Sequence, residues 1–232
     1  MSTEELYERL KKAIADGDEE TAAETAKLLK EAGVSPIDVV NNAIKPIMDE
    51  IGEKYEKLEI FLPELVLAGD AATAALNVIF PKGEESEVVK GTVVIGTIYG
   101  DIHEIGKSIV AAMLRANGYK VVDLGCDVPP TRFVEEAKKH GAKIIGISCL
   151  LSPSMFYMRD VIKRLEDEGI RGNYYVIVGG ASVSPDWAKE IKADGWAKDA
   201  ERTVKLCNML LEKGGELEKP VILGEWKLTE VS

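Results

Sequence analysis

Over the first 81 residues apolar side chains recur at steps of three and four, the period of helices with one buried face. Ser2 and Glu5 make a capping box ahead of Leu6, Leu10 and Ile14. Asp18 can cap a second helix carrying Ala22, Ala26 and Leu29, and Gly33 can end it. Ser35 followed by Pro36 places a capping side chain and a preset φ at a third start. Ile37, Val40, Ile44, Ile47, Ile51 and Tyr55 continue that helix, and Pro46 inside the pattern should kink or split it. A fourth helix is expected from about Pro63 to Phe80, with Leu65, Ala68, Ala72, Leu76 and Ile79 on one stripe. Four helices with short connections predict a small bundle, and the alanines predict close approach between them.

Residues 82–91 (KGEESEVVKG) are polar, contain glycine at both ends and show no period, as in a linker. Beyond them the pattern changes. Short apolar, β-branched runs at Thr92–Ile98, Lys120–Gly125, Lys143–Cys149, Tyr174–Val178 and Gly195–Ala197 alternate with helical stretches. Those stretches run to about Asn117, then over Pro130–His140, Met155–Glu168, Pro185–Lys192 and Ala200–Lys213. Strict alternation of buried strand and helix predicts a parallel sheet with right-handed crossovers. Five such units fit a flavodoxin-like, Rossmann-type α/β domain with strand order 2-1-3-4-5 and helices on both faces. The expected division is a helical domain over 1–81, a linker over 82–91, an α/β domain over 92–213 and a tail over 214–232. Val221–Leu223 and Trp226 in the tail can pack on the protein's own surface or reach a partner; docking on the same chain is the expectation.

Composition narrows the chemistry. Asp and Glu number 40 against 29 Lys and Arg, a net charge of -11, which argues against a phosphate backbone as the main partner. Cys126, Cys149 and Cys207 make no CxxC pair and suit reduced thiols in a cytoplasmic protein. The charged start MSTEELYERL is unlike a signal peptide, and no apolar run approaches the ~20 residues of a membrane span. Histidine occurs twice, at His103 and His140. His140 falls in the last turn of a helix before Gly141, where it suits the helix dipole.

Ligands of open α/β sheets bind beyond the carboxyl ends of the strands, near the switch in strand order. The loops there are Tyr99–Gly106, Ser148–Ser154, Gly179–Ser182 and Asp199–Ala200. In the first, Asp101 and His103 stand ahead of a helix that begins near Gly106. An exposed imidazole can ligate a metal through one nitrogen while the other donates to the carboxylate, which fixes its tautomer. A helix N-terminus also disfavours imidazolium. The alternative is an aspartate N-cap beside a solvated histidine. One His–Asp pair cannot hold a free metal ion, which takes three or four ligands. If His103 binds a metal, a cofactor must supply the other ligands, and a macrocycle with an open axial position is of that kind. Gly179-Gly180 would admit a bulky ligand, or mark a plain strand-to-helix turn. Ser148, Ser152 and Ser154 can donate to a ligand, or serve as turn and capping residues.

Taken together these motifs resemble the cobalamin-binding domain of methionine synthase and the corrinoid proteins of methyltransferase systems, above all the stand-alone subunits serving methylamine, methanol or betaine methyltransferases. The family pattern DxHxxG, SxL and GG is met by Asp101-Ile-His103-Glu-Ile-Gly106, Ser148-Cys-Leu150 and Gly179-Gly180, in that order. The helical first domain looks like the family's cap, including Phe61-Leu62-Pro63, and the similarity spans about residues 3–212. The resemblance implies a cobalamin whose cobalt takes His103 as lower axial ligand in place of dimethylbenzimidazole. Asp101 would hydrogen-bond His103 and Ser154 would in turn contact Asp101, a relay that lets a proton follow the cobalt oxidation state. Ser148 would contact the displaced base, and Gly106, Gly179 and Gly180 would make room for its nucleotide tail. Ile102, Glu104, Ile105, Leu150, Ser152 and Ala181 complete the implied cofactor-binding set, and 193–200 would close its rim. The cap would cover the methyl face when no partner is docked. Many relatives carry Asp at the position of Glu104 and Thr near Ser152 to Ser154.

The function so implied is a methyl carrier, not catalytic by itself. It takes a methyl group from a methylated small molecule held by a substrate-specific corrinoid methyltransferase. It passes the group to a second methyltransferase acting on a folate or a thiol, with a reductive-activation protein in support. The length leaves no room for a barrel of about 250 residues to hold the donor. A cobalamin-dependent regulator is a rival, but it would need basic DNA-binding helices. The small subunit of a cobalamin mutase is another, and would prefer adenosylcobalamin. A flavin or phosphate binder ranks last, for want of a loop such as GxxxxGK[ST].

Overall fold

Ser2, Asp18 and Ser35 each accept a hydrogen bond from a first-turn N–H in the computed structural model of the chain, which describes residues 1–80, 90–213 and 218–225. These caps start α1 (Thr3–Ala15), α2 (Glu19–Glu31) and α3 (Pro36–Val39). At Ser2 the capping box is complete: Glu5 donates its N–H to the hydroxyl, and the Glu5 carboxylate accepts the Ser2 N–H. The expected third helix is divided. After α3 the backbone widens into a π turn over Val40–Ile44 and resumes as α4 (Lys45–Glu56). Pro46, in the first turn of α4, has no N–H to give a regular helix and its ring presses on the turn before it; the widened turn relieves both.

The last helix of this unit, α5 (Leu62–Ile79), packs on α2. Ala68, Ala71, Ala72 and Ala75 of α5 and Ala22 and Ala26 of α2 are all buried, so the two backbones approach closely. By length and composition alone this 18-residue helix would suffice to cross a membrane, although Glu64, Asp70 and Asn77 interrupt its apolar run. Its alanine stripe is buried within the helical unit.

The chain divides by its internal contacts into two compact units, Met1–Gly83 and Glu84–Ser232. Most of the expected linker, residues 82–89, lies outside the described residues. Its last two residues belong to the second unit, where Lys90 donates its N–H to the Gly118 carbonyl and Gly91 opens the first strand.

In the second unit β1 (Gly91–Thr97), α6 (Ile105–Ala116), β2 (Tyr119–Asp123), α7 (Pro130–His140) and β3 (Ile144–Ser148) follow in turn. A 3-10 turn at Ser154–Phe156 leads into α8 (Tyr157–Asp167), then β4 (Tyr175–Gly179), α9 (Pro185–Glu190), β5 (Gly195–Ala197) and α10 (Ala200–Lys213). The strands pair in parallel in the order β2-β1-β3-β4-β5-β6. Among the described residues the sheet therefore has six strands where the sequence predicted five. The addition, β6 (Val221–Leu223), comes from the tail and pairs with β5, so this part of the tail docks on its own chain. Trp226 lies outside the described residues.

Alternate strand residues feed two cores, as the pleat requires. Val94, Ile145, Ile147, Val176 and Val178 pack with Phe133 and Val134 of α7, Met158 and Leu165 of α8 and Trp187 of α9. Val93, Ile144 and Ile177 pack on the other face with Leu114 of α6 and Leu206, Cys207 and Leu210 of α10. Phe133 is fully buried, and its ring lies so near β1 that a Cβ on Gly96 would sit 3.0 Å from it. Phe133→Ala should cost about 3–5 kcal/mol of stability, read by urea unfolding, because the cavity lies between sheet and helix and cannot close.

Candidate functional site

Strand register decides which loops meet. Thr97 of β1 pairs with Ser148 of β3, and Ser148 with Gly179 of β4, so the last residues of three strands form one row at the carboxyl edge of the sheet. The loop bearing Asp101 and His103, the loop bearing Leu150 and Ser152, and Gly180-Ala181 all leave from that row. Ile102, His103, Gly106, Leu150, Ser152, Gly180 and Ala181 are exposed there, Glu104, Ile105, Ser148 and Gly179 half-buried, and Asp101 and Ser154 buried.

Asp101 is the centre of this arrangement. Its side chain has no exposed surface. One carboxylate oxygen accepts from the His103 backbone N–H at 2.9 Å and lies 2.7 Å from His103 Nδ1. The other accepts from the backbone N–H groups of Leu150 at 2.5 Å and Leu151 at 3.1 Å. Burial alone would raise its pKa. The hydrogen bonds from the His103 and Leu150 amides, the imidazole and the Leu151 amide outweigh that and hold the carboxyl below its ordinary value. In the neutral ring, an ionised carboxylate at Nδ1 favours the tautomer with its proton there, which leaves the Nε2 lone pair for a ligand. The His103 side chain is 47% exposed.

Two anchors that the sequence reading missed hold the same loop. Thr97, fully buried, donates its hydroxyl to the His103 carbonyl at 2.9 Å. Lys107, also buried, forms an ion pair with Asp123 at 2.5 Å and lies 3.6 Å from Glu104, which ties the start of α6 to the end of β2. A polar residue closing the apolar run of β1 and a lysine in the first turn of a helix were the available signals. Each has commoner explanations at the surface.

Ser154 is the residue the resemblance places in contact with Asp101. It is buried, and its hydroxyl lies where a Cβ on Gly100 would stand 2.8 Å away. Among the described residues Asp101 takes its hydrogen bonds from His103, Leu150 and Leu151, and none from Ser154. Cys149 is buried and its thiol is pushed up to about 12 by burial, so it stays protonated and donates to the Leu151 carbonyl at 3.0 Å. The stretch 193–200 forms β5 and the cap of α10, where Asp199 accepts the Arg202 N–H. His140 lies 3.1 Å from Glu136 on its own helix, away from the site loops.

The glycines divide by cause. Gly180 has φ +112, and a Cβ on it would fall 1.9 Å from the Cys149 carbonyl oxygen, so the fold itself demands glycine. Gly179 would bring a Cβ only to 3.6 Å from the Ala197 carbonyl, an ordinary contact. Around Gly106 a Cβ would meet nothing within 4 Å. Glycine within α6 is unfavourable relative to alanine by about 1 kcal/mol, and nothing in the fold calls for it at Gly106. That bare surface beside His103 is a cradle a Cβ would partly fill, which suits a large ligand resting on the backbone. Among the described residues no three His, Cys, Asp or Glu side chains stand together as a metal site. A metal at His103 therefore fits as part of a group that brings its own remaining ligands.

Comparison with known proteins agrees with the geometry. Residues 91–205 match the family described as a B12 binding domain, and residues 6–79 match a second family with the same description. The chain is 43% identical to trimethylamine corrinoid protein 1 of Methanosarcina acetivorans over 213 residues, 90% of this chain and 99% of the relative. The monomethylamine corrinoid protein of Methanosarcina barkeri superposes with a TM-score of 0.80 at 36% identity, covering 89% of this chain and 98% of the other. A chain of the methanol:cobalamin methyltransferase complex of the same organism gives 0.52 at 30% identity, covering 91% and 81%.

Two outcomes follow from the site itself, before any ligand is added. Gly180→Ala should lower the melting temperature markedly, while Gly179→Ala should leave it near the wild-type value. The stabilisation from the lowered Asp101 pKa is present above the unfolded carboxyl value of about 3.9 and is lost as pH falls through the folded one. The stability gap between wild type and Asp101→Asn, read by urea unfolding against pH, should therefore shrink on acidification below about pH 4.

Proposed function

This chain belongs to the corrinoid proteins of methyltransferase systems, and from that premise we propose that it is a methyl carrier built on a bound cobalamin. When bound, the cobalt supplies both the nucleophile that accepts a methyl group and the leaving group that releases it. The observation that carries the reading is the exposed His103 ring, held at Nδ1 by a buried carboxylate, beside a glycine the fold does not require.

The roles of the residues are part of the proposal. His103 would hold the cobalt through Nε2. Asp101 fixes the tautomer and, by keeping its charge, strengthens the histidine as a donor. Gly106 and Gly179 would leave room for part of the cofactor, with Ser148, which pairs in register with Gly179, alongside. Ile102, Glu104, Ile105, Leu150, Ser152 and Ala181 line the same rim, and Gly180 shapes the turn that opens it. Ser154 acts one layer deeper, against the Gly100 turn.

The methyl donor in this proposal is a methylated small molecule of the kind named for the relatives, amines and methanol, delivered by a partner methyltransferase. A second methyltransferase, to a folate or a thiol, and a reductive-activation protein complete the system. The division into a helical cap over 1–81, a linker over 82–91, a cobalamin domain over 92–213 and a tail over 214–232 belongs to the same reading. So does a cytoplasmic setting, which suits the unpaired Cys126, Cys149 and Cys207.

The test uses uniformly 15N-labelled protein loaded with unlabelled hydroxocobalamin and reduced to Co(II). Electron spin resonance should show a doublet superhyperfine pattern from a protein nitrogen, not the triplet of the cofactor's own 14N base. His103→Ala should abolish the doublet; its persistence would overturn the ligand assignment. Gly106→Ala should leave cofactor-free stability equal or higher, and lower cobalamin affinity by about tenfold, or about 1.4 kcal/mol.

A further inference from the structure

Asp127 lies in the loop between β2 and α7, which the switch-point argument leaves out of the site. Its φ is +53, in the left-handed region, although it carries a Cβ. Such conformations cost free energy and persist where surrounding contacts compensate. Both polar ends of Asp127 are used on the loop that carries His103. Its Oδ1 accepts the Gly100 N–H at 2.8 Å, and its own N–H donates to the Asp101 carbonyl at 2.9 Å. The residues around it continue the pairing. Thr97 donates its N–H to the Gly125 carbonyl at 2.9 Å, Val128 donates to the Thr97 carbonyl at 3.0 Å, and Ile98 bridges to Val128 in parallel. Residues 125–128 thus form a rail along 97–101.

Gly100 is where that rail is needed. Its φ is +79, and the buried Ser154 hydroxyl would lie 2.8 Å from any Cβ there, so the turn is restricted to glycine. A glycine turn is loose unless something outside it fixes its N–H. The next residue is Asp101, whose four donors come from two separate loops and meet it only if the turn is in register.

We propose that Asp127 is a positioning residue for the lower ligand: its carboxylate fixes the Gly100 turn, and through Gly100 and Asp101 it sets the direction of the His103 ring. The proposal rests on His103 being the cobalt ligand. It places a residue of the second strand's loop in command of a group 24 positions earlier in the chain.

Three variants separate the possibilities. Asp127→Gly relieves the left-handed φ but removes the acceptor. Asp127→Asn tolerates the same φ and keeps an acceptor oxygen. His103→Ala reports on the ligand itself. In the 15N Co(II) experiment, the ratio of histidine-bound to unbound signal should fall about fivefold in Asp127→Gly, the scale of one lost hydrogen bond, and stay near wild type in Asp127→Asn. In cofactor-free protein, exchange of the Gly100 amide should speed up about fivefold in Asp127→Gly alone. A wild-type ratio or unchanged Gly100 exchange in Asp127→Gly, or an equal loss in Asp127→Asn, overturns the role of Asp127. Loss of the doublet in His103→Ala with no effect of Asp127→Gly overturns this inference alone. A doublet that survives His103→Ala overturns the ligand reading beneath it.

Discussion

The Asp101 carboxylate has no exposed surface, and each of its oxygens meets two donors, one set from its own loop and one from a loop 49 and 50 residues away. A charge in that position is tolerable only because every lone-pair direction is met. The geometry is therefore coupled: moving the β3 loop withdraws two donors, and moving the β1 loop withdraws the other two. This makes the His103 ring a property of the sheet edge as a whole. The row Thr97, Ser148 and Gly179 sets the spacing of the loops, and the carboxylate joins the two that matter.

Lys107, in the first turn of α6, turns to Asp123 and Glu104 and is fully buried between helix and sheet edge. A buried lysine unpaired would be costly, and paired here it fastens the helix that follows His103. The imidazole thus keeps a carboxylate partner of its own.

Much of this was legible in the sequence. The helical period of the first 81 residues, the strand-helix alternation beyond, and the three separated motifs lead to the strand order and to the rim where Asp101, His103, Ser148 and Gly179 meet. What escaped has physical reasons. Leu150 and Leu151 act through backbone N–H groups, which leave no trace in side-chain identity. Thr97 and Asp127 are ordinary residues for a strand end and a loop, and their role depends on partners the fold brings near. Val221–Leu223 is too short to announce a strand, since its pairing with β5 depends on tertiary placement. Pro46 signalled a break, but not that the helix widens into a π turn over Val40–Ile44 and then resumes.

The different origins of the site's glycines bear on how such a chain would change over many generations. Gly180 is closed to every other residue by the Cys149 carbonyl, whatever the protein does. Gly106 and Gly179 meet no such block, so in the proposed reading only a bound cobalamin would hold them as glycine. A lineage that abandoned the ligand would let the latter two drift while the first stayed fixed. The order in which glycines are lost along a family tree would then record when a carrier became a mere scaffold, from sequence alone.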